Sequence, residues 1–511
     1  MPVYMSAACC SSSKRRRMTT RSQTRSKALA WISFPAEIRL IILAIIAHQK
    51  HPGWASLASV CREWQHVLEK VNFHKIKLRV SCLDDFEHVA TLQKRGIIRH
   101  ICLNVELPRY TSTCCSKRRS PSAKISSIVS DGIWKLVSIL STWRPANNLA
   151  LEINVYSPSD CEHWFKNIYL SSDDVQHHED VMPNAWRTGS QYHDPQHGWM
   201  HGQQIKGPPK TAMLQLFRPI RLRFQGMLPR VEAVTCLIIR RQLRRCISPS
   251  GLSLLLSSFD RLEHISYEPW APYEVANREF HERGLSFAMR NLPHTLNRLI
   301  VFEDSYESYD LFPKRPAYIH WFNLVDPSEG LGAVFASKSL DLQHLSISFM
   351  INAQELFRHS QSTWSWLHLQ SLALTSQLLQ DDWGKRNQIE ALLCQARAFV
   401  QKMPKLHTFV LWNGGKAHAC AFIYRINRNS ASITWRGTWH LELSPLVVKL
   451  WQLAASKLPC SEFSELQIKQ EYIREVIKSR GDAIYYLKLP CQVIDPASLW
   501  QIRREGYSLA E

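Results

Sequence analysis

Glycine is scarce in this chain, at 18 of 511 residues, and none of the glycine-built phosphate cradles is present. There is no G-x-x-x-x-G-K-[ST] and no G-x-G-x-x-G after a strand. G-x-S-x-G and H-E-x-x-H are missing too, since the His-Glu pairs, His178-Glu179 and His281-Glu282, run on into Asp-Val-Met and Arg-Gly-Leu. The 14 cysteines include no C-x-x-C, only two vicinal pairs at Cys9/Cys10 and Cys114/Cys115, which reads as reduced intracellular thiols and not as a disulfide framework or zinc module. Long apolar runs are lacking as well. The most apolar stretch, Leu40 to Ala47, is far too short to cross a bilayer, and Met1 to Cys10 carries no signal-peptide core. Together these absences predict a soluble protein of nucleus and/or cytoplasm that touches no membrane, is not an enzyme, and holds neither cofactor nor metal. Only an active site without a recognisable signature would escape them.

What is present bounds the architecture. With 45% apolar residues the chain can bury a large core, and its length fits one small and one large folded unit. Acidic residues number 43 against 63 basic ones, a formal charge of +20, so nucleic acid and acidic partners must be weighed. Seven of these positive charges, from Lys14-Arg15-Arg16-Arg17 to Lys27, sit in a Ser/Thr-rich tail without acids, so residues 1–29 are expected to be a disordered basic tail. The run at Lys14 is similar to a nuclear import signal, or is merely solvated. No aromatic residue interleaves with it, which disfavours a nucleic-acid partner. A second cluster, Arg240, Arg241, Arg244 and Arg245, follows an apolar strand at Val234 to Ile239. It is read either as a site for an acidic or phosphorylated substrate or as a solvated face.

Near the N-terminus, Phe34-Pro35-Ala36-Glu37-Ile38 is followed by an apolar stretch and then by Val60-Cys61-Arg62-Glu63-Trp64. Pro35 suits the start of a helix and Glu37 its positive end, so a helix is expected to begin near Ser33. Ile38, Ile41, Ile42, Ile45 and Ile46 recur at three- and four-residue steps while Leu40 and Leu43 lie on other faces, giving more apolar surface than a segment of about forty residues can bury by itself. A partner is implied, unless the helix packs on the C-terminal region of its own chain. The segment resembles an F-box over residues 30–75. That resemblance implies the small adaptor Skp1 as partner and, through it, a cullin-RING ubiquitin ligase. The residues implied to bind Skp1 are Phe34, Pro35, Glu37, Ile38, Ile42, Ile46, Val60, Cys61, Trp64 and Val67.

From residue 76 to 511 a short signature, L-x-x-L-x-L with any large apolar residue allowed, recurs at irregular steps. It stands at Ile98-Ile101-Leu103, Val234-Leu237-Ile239, Leu262-Ile265-Tyr267, Leu296-Leu299-Val301, Leu342-Leu345-Ile347, Leu369-Leu372-Leu374 and Leu406-Phe409-Leu411. Each predicts a short strand, usually preceded by a helical segment such as Gln388 to Met403. The fold class is therefore α/β. The array resembles an irregular leucine-rich repeat of strand-plus-helix units, though its usual asparagine is missing, and an unrelated parallel α/β domain would give a comparable pattern.

The array is expected to end in a cap: strands at Ala421 to Ile426 and Ser432 to Trp439 around a polar turn, then a helix opened by Ser444-Pro445, and a last apolar patch from Tyr485 to Ile494. Residues 157–209, rich in His, Asp, Gly, Pro and Trp, read as a polar insertion or surface loop. His193, His197 and His201 have the spacing of metal ligands on a helix, but Pro195, Gly198 and Gly202 argue against that helix.

Segments such as Val155-Tyr156-Ser157-Pro158-Ser159-Asp160, His264-Ile265-Ser266-Tyr267-Glu268-Pro269-Trp270, Thr434-Trp435-Arg436-Gly437-Thr438-Trp439 and Gly481-Asp482-Ala483-Ile484 are similar to filamentous-fungal F-box proteins with an uncharacterised C-terminal domain. The resemblance implies a substrate-recognition adaptor of a Skp1–cullin–F-box ubiquitin ligase, with an unnamed protein substrate held by the C-terminal domain. Alternatives are a nuclear nucleic-acid-associated protein, or a Skp1-binding F-box protein acting outside the ligase.

Overall fold

A computed structural model describes residues 31–49, 51, 53–111, 122–144, 148–167, 192–272, 278–305, 330–427, 430–455 and 466–506. The basic tail of residues 1–29, with Lys14 to Arg17, lies outside them. The chain divides into two compact units, Met1–Cys102 and Leu103–Glu511.

The first unit opens with helices α1 (Ala36–Gln49) and α2 (Arg62–His74), joined through a short 3-10 turn at Trp54–Ser59. Helix α1 begins three residues later than expected, because Pro35 precedes the first helical residue and its carbonyl accepts the first helical bond, from the Arg39 N–H at 3.1 Å. Trp31 ahead of α1 and Arg39 within it both donate to the carboxylate of Glu63, each at 2.9 Å. The Trp31 and Trp64 rings meet at 5.2 Å, so the start of α1 is tied to the first turn of α2. Strand β1 (Lys75–Arg79), helix α3 (Leu83–Val89), a single helical turn at Leu92–Arg95 and the start of β2 (His100–Glu106) complete the described part of this unit, which reaches beyond residue 75.

In the second unit α4 (Ser122–Ser141) leads to β3 (Leu149–Tyr156), and α5 (Lys210–Phe217) to β4 (Val234–Ile239). Then strand and helix alternate: α6 (Pro249–Leu256), β5 (His264–Tyr267), α7 (Arg278–Arg290), β6 (Arg298–Phe302), α8 (Leu331–Lys338), β7 (His344–Ser348), α9 (Ala353–Arg358), β8 (Ser371–Thr375), α10 (Arg386–Val400) and β9 (Thr408–Gly415). The strands stand side by side in chain order, parallel from β3 to β9, and α6 to α11 touch one another in succession. This is a large, mostly parallel sheet to which each strand–helix unit adds at the same edge.

The repeated signature explains the register. Leu237, Ile265, Leu299, Leu345, Leu372 and Phe409 are paired neighbours across six strands, and Ile239, Tyr267, Val301, Ile347, Leu374 and Leu411 form a second row. All are buried, and Phe409 packs on Trp451 of α11 (Pro445–Ala455), placing both rows on the helix side. Because side chains alternate across a strand, residues between them line the opposite face.

Strands β10 (His418–Ile426) and β11 (Ala431–Gly437) form the expected hairpin, but the sheet does not stop there: β12 (Gln467–Tyr472) adds in parallel beyond β11. Helix α11 starts at Pro445 with the Ser444 hydroxyl accepting from the Val447 N–H at 3.4 Å, as the Ser-Pro pair predicts. The chain then crosses to the second face. Helices α12 (Arg480–Leu487) and α13 (Pro496–Gly506) cover it through a core of Phe302, Ala373, Val410 and Trp412 from the sheet and Ile473, Ile484, Leu487 and Ile502 from the terminal segment. The two helices approach closely at Gly481, where a Cβ would stand 2.6 Å from the Arg503 nitrogen.

Candidate interaction surface

Helix α1 is apolar almost all round, and its own unit uses only part of that surface. Leu43 and Ala47 are buried and Ile42 and Ile46 half-buried. Ile38, Leu40, Ile41 and Ile45 remain 40–54% exposed. Ile38, Ile41 and Ile45 follow the three- and four-residue steps of one helical stripe. At the start of α2, Val60 is 59% exposed, ahead of Cys61, whose side chain makes no capping bond. Contiguous apolar surface of this kind is rarely left to water and marks an interaction site.

Of the residues the sequence pointed to, Pro35, Glu37, Ile38, Val60 and Cys61 are exposed, whereas Phe34, Ile42, Ile46, Trp64 and Val67 are half-buried within the unit. Leu40, Ile41 and Ile45 were not in that set, yet they are more open than Ile42 and Ile46. The isoleucine spacing carried the signal, but it could not tell which of two adjacent stripes faces inward.

The arginine cluster is neither a rim site nor a solvated face. Arg240, Arg241, Arg244 and Arg245 are all buried, each facing a carboxylate. Arg240 pairs with Glu152 at 2.8 Å, Arg245 holds Asp160 through two bonds of 2.6 and 2.7 Å, and Arg241 grips Glu505 of α13 through bonds of 2.7 and 3.1 Å. Arg241 also contacts Asp304, and Arg244 contacts Glu505. Both guanidiniums stack on Trp270, at 4.8 and 4.5 Å from its ring centre. Burial alone would raise the Glu505 carboxyl, but Arg241 and Arg244 hold it below its ordinary value. Nearby, burial and Asp495 push Glu268 up to about 7, although the Asp495 and Arg241 N–H groups both donate to it. Arg241 and Arg244 fasten the last helix while Arg240 and Arg245 bind acids of β3 and the turn after it, so the four are engaged inside the fold.

The described parts of 157–209 are more built than a surface loop. Ser157 and Asp160 form a reciprocal cap. Trp199 is buried, donating to the Trp164 carbonyl at 3.0 Å, and Trp164 and Phe165 join a core with Met213, Phe217 and Trp270. His193, His197 and His201 share no helix: Pro195–His197 is a single 3-10 turn ended by Gly198 at φ +75°. His197 bonds Asp194 at 2.7 Å, and among the described residues no group of metal-ligating side chains converges.

Residues 291–495, from just before β6 to the link between α12 and α13, match a family of unknown function (DUF6546). A search of curated proteins finds no match.

Proposed function

We propose that this chain is an F-box protein: the first unit docks the adaptor Skp1, and the second holds a protein substrate for a Skp1–cullin–F-box ubiquitin ligase. The observation that carries this reading is the apolar stripe of Ile38, Ile41 and Ile45, left exposed by its own unit as Val60 is. Fully burying an exposed aliphatic side chain contributes about 1.5–3 kcal/mol, and these four are already half covered, so they supply the apolar centre of an interface whose remaining contacts must offset the cost of association. The succession of strand and helix in chain order supports the leucine-rich-repeat-like reading of the second unit. The chain performs no bond chemistry in this scheme; ubiquitin transfer is accelerated by proximity. The nucleic-acid alternative is weakened because the four arginines it would use are buried and paired.

Pro35→Ala combined with Ile38→Ala is expected to abolish co-purification with Skp1, and Ile41→Ala with Ile45→Ala to do the same. All four side chains are exposed, so the unit should fold as before. Wild-type recovery of Skp1 by both double variants would sink the assignment. Recovery of Skp1 without cullin from wild-type chain would instead point to a role outside the ligase.

A further inference from the structure

On the face of the sheet opposite the repeat helices, six buried or partly buried arginines near the terminal segment are neutralised. Arg240, Arg241, Arg244, Arg245, Arg480 and Arg503 each have a carboxylate partner. Arg298 is the contrast. It is half-buried at the start of β6 on this same face, yet its guanidinium donates to no side chain and has no carboxylate within 4 Å among the described residues.

Its neighbours are set by register. His264 of β5 pairs with it on one side and His344 of β7 on the other, with Cys236 next beyond His264. The His264 Nε2 is buried and has no hydrogen-bond partner. A cavity of about 280 Å³ opens here, lined by Asn148, Cys236, Glu263, His264, Asn297 and Arg298. A half-buried guanidinium without an acidic partner beside a polar cavity is a ready donor for an incoming acceptor. Burial, then Arg298 and His344, push His264 down to about 4, so the ring is neutral at physiological pH and can donate one N–H without competing for protons.

We propose that Arg298, with His264 and Asn297 beside it, anchors one oxyanion group, a phosphate or carboxylate, borne on a short stem by a protein segment lying across the starts of β4 to β7. The cavity, at about 280 Å³, is of a size to seat a single anionic group. The planar guanidinium supplies a two-point grip on such a group. The row runs over adjacent strands about 4.8 Å apart, an arrangement suited to an extended chain and not to a compact small molecule. Glu263 also lines the cavity, and its carboxylate opposes an anion there, so the grip falls to Arg298. The site lies wholly in the second unit and stands whether or not the first unit binds Skp1.

Titration calorimetry on the full chain without adaptor tests it, with inorganic phosphate, a short phosphoserine peptide, its glutamate form and its unmodified form. The expected result is binding of the phosphoserine peptide tighter than inorganic phosphate, no binding of the unmodified peptide, and loss of about tenfold or more in Arg298→Gln, less in Arg298→Lys. Unchanged thermal unfolding of both variants checks the fold. Equal binding by wild type and Arg298→Gln, or no binding of any probe, overturns the site. Inorganic phosphate binding as tightly as the peptide overturns the protein-borne source.

Discussion

Arg241 and Glu505 are 264 positions apart in sequence and joined by two hydrogen bonds out of contact with water. Nothing in the local sequence announces that. Four arginines in six positions after a strand look like exposed charge, because the carboxylates that neutralise them come from β3, from the turn after it, from the residues past β6, and from the last helix. Residue-scale readings succeeded where the information was local, as with Ser444-Pro445 opening α11, and failed where the partner was remote. Removing one partner of a buried pair strands the other charge, at a cost of about 3–5 kcal/mol. Glu505→Ala should therefore destabilise the second unit strongly, since both Arg241 and Arg244 lose an acceptor, while Glu162→Ala at its exposed pair with Arg109 should cost less than about 1 kcal/mol. Thermal unfolding of the two variants checks the contrast; equal effects would mean that water reaches the Arg241 site.

At the scale of elements, all seven signature segments contribute residues to strands, because L-x-x-L-x-L needs only alternation and burial to be read. Strand β3 was passed over. Leu149, Leu151, Ile153 and Val155 alternate cleanly but lack the leading three-residue step. The terminal patch around Tyr485 was legible as apolar, yet its place on the second face of the sheet was not, since sequence does not say which layer a helix joins. That placement has a consequence. Truncation after Lys478 would remove α12 and α13, uncover Phe302, Val410 and Trp412, and leave Arg241 and Arg244 without Glu505. The truncated chain is expected to bind a hydrophobic dye and aggregate on purification. A soluble truncated chain with a wild-type melting profile would show that the helix pair is an appendage and not part of the core.

For the whole molecule, buried titratable groups set opposing pH dependences. His264 and His281 are both pushed down to about 4, by burial first and then by neighbouring Arg298 and His344 or by Arg278. Between about pH 6.5 and 4 the unfolded chain binds protons at these rings that the folded one does not, so their contribution to stability falls as the medium is acidified. Glu268 acts the other way. With its carboxyl raised to about 7 by burial and by Asp495, the folded chain keeps a proton between about pH 4.5 and 7 that the unfolded chain has lost, and stability falls as pH rises through that window. Each group shifts the slope of stability against pH by at most about 1.4 kcal/mol per pH unit. Glu268→Gln removes the opposing contribution and should make the acid-side loss between pH 6.5 and 5 steeper than in wild type, whereas His281→Gln should make it shallower by a similar amount. Every other titrating group is common to the three proteins, so the differences in slope isolate these two sites. Urea midpoints at pH 5, 5.75 and 6.5 for all three proteins decide it, and parallel curves would show that neither group holds its shifted proton affinity in the folded chain.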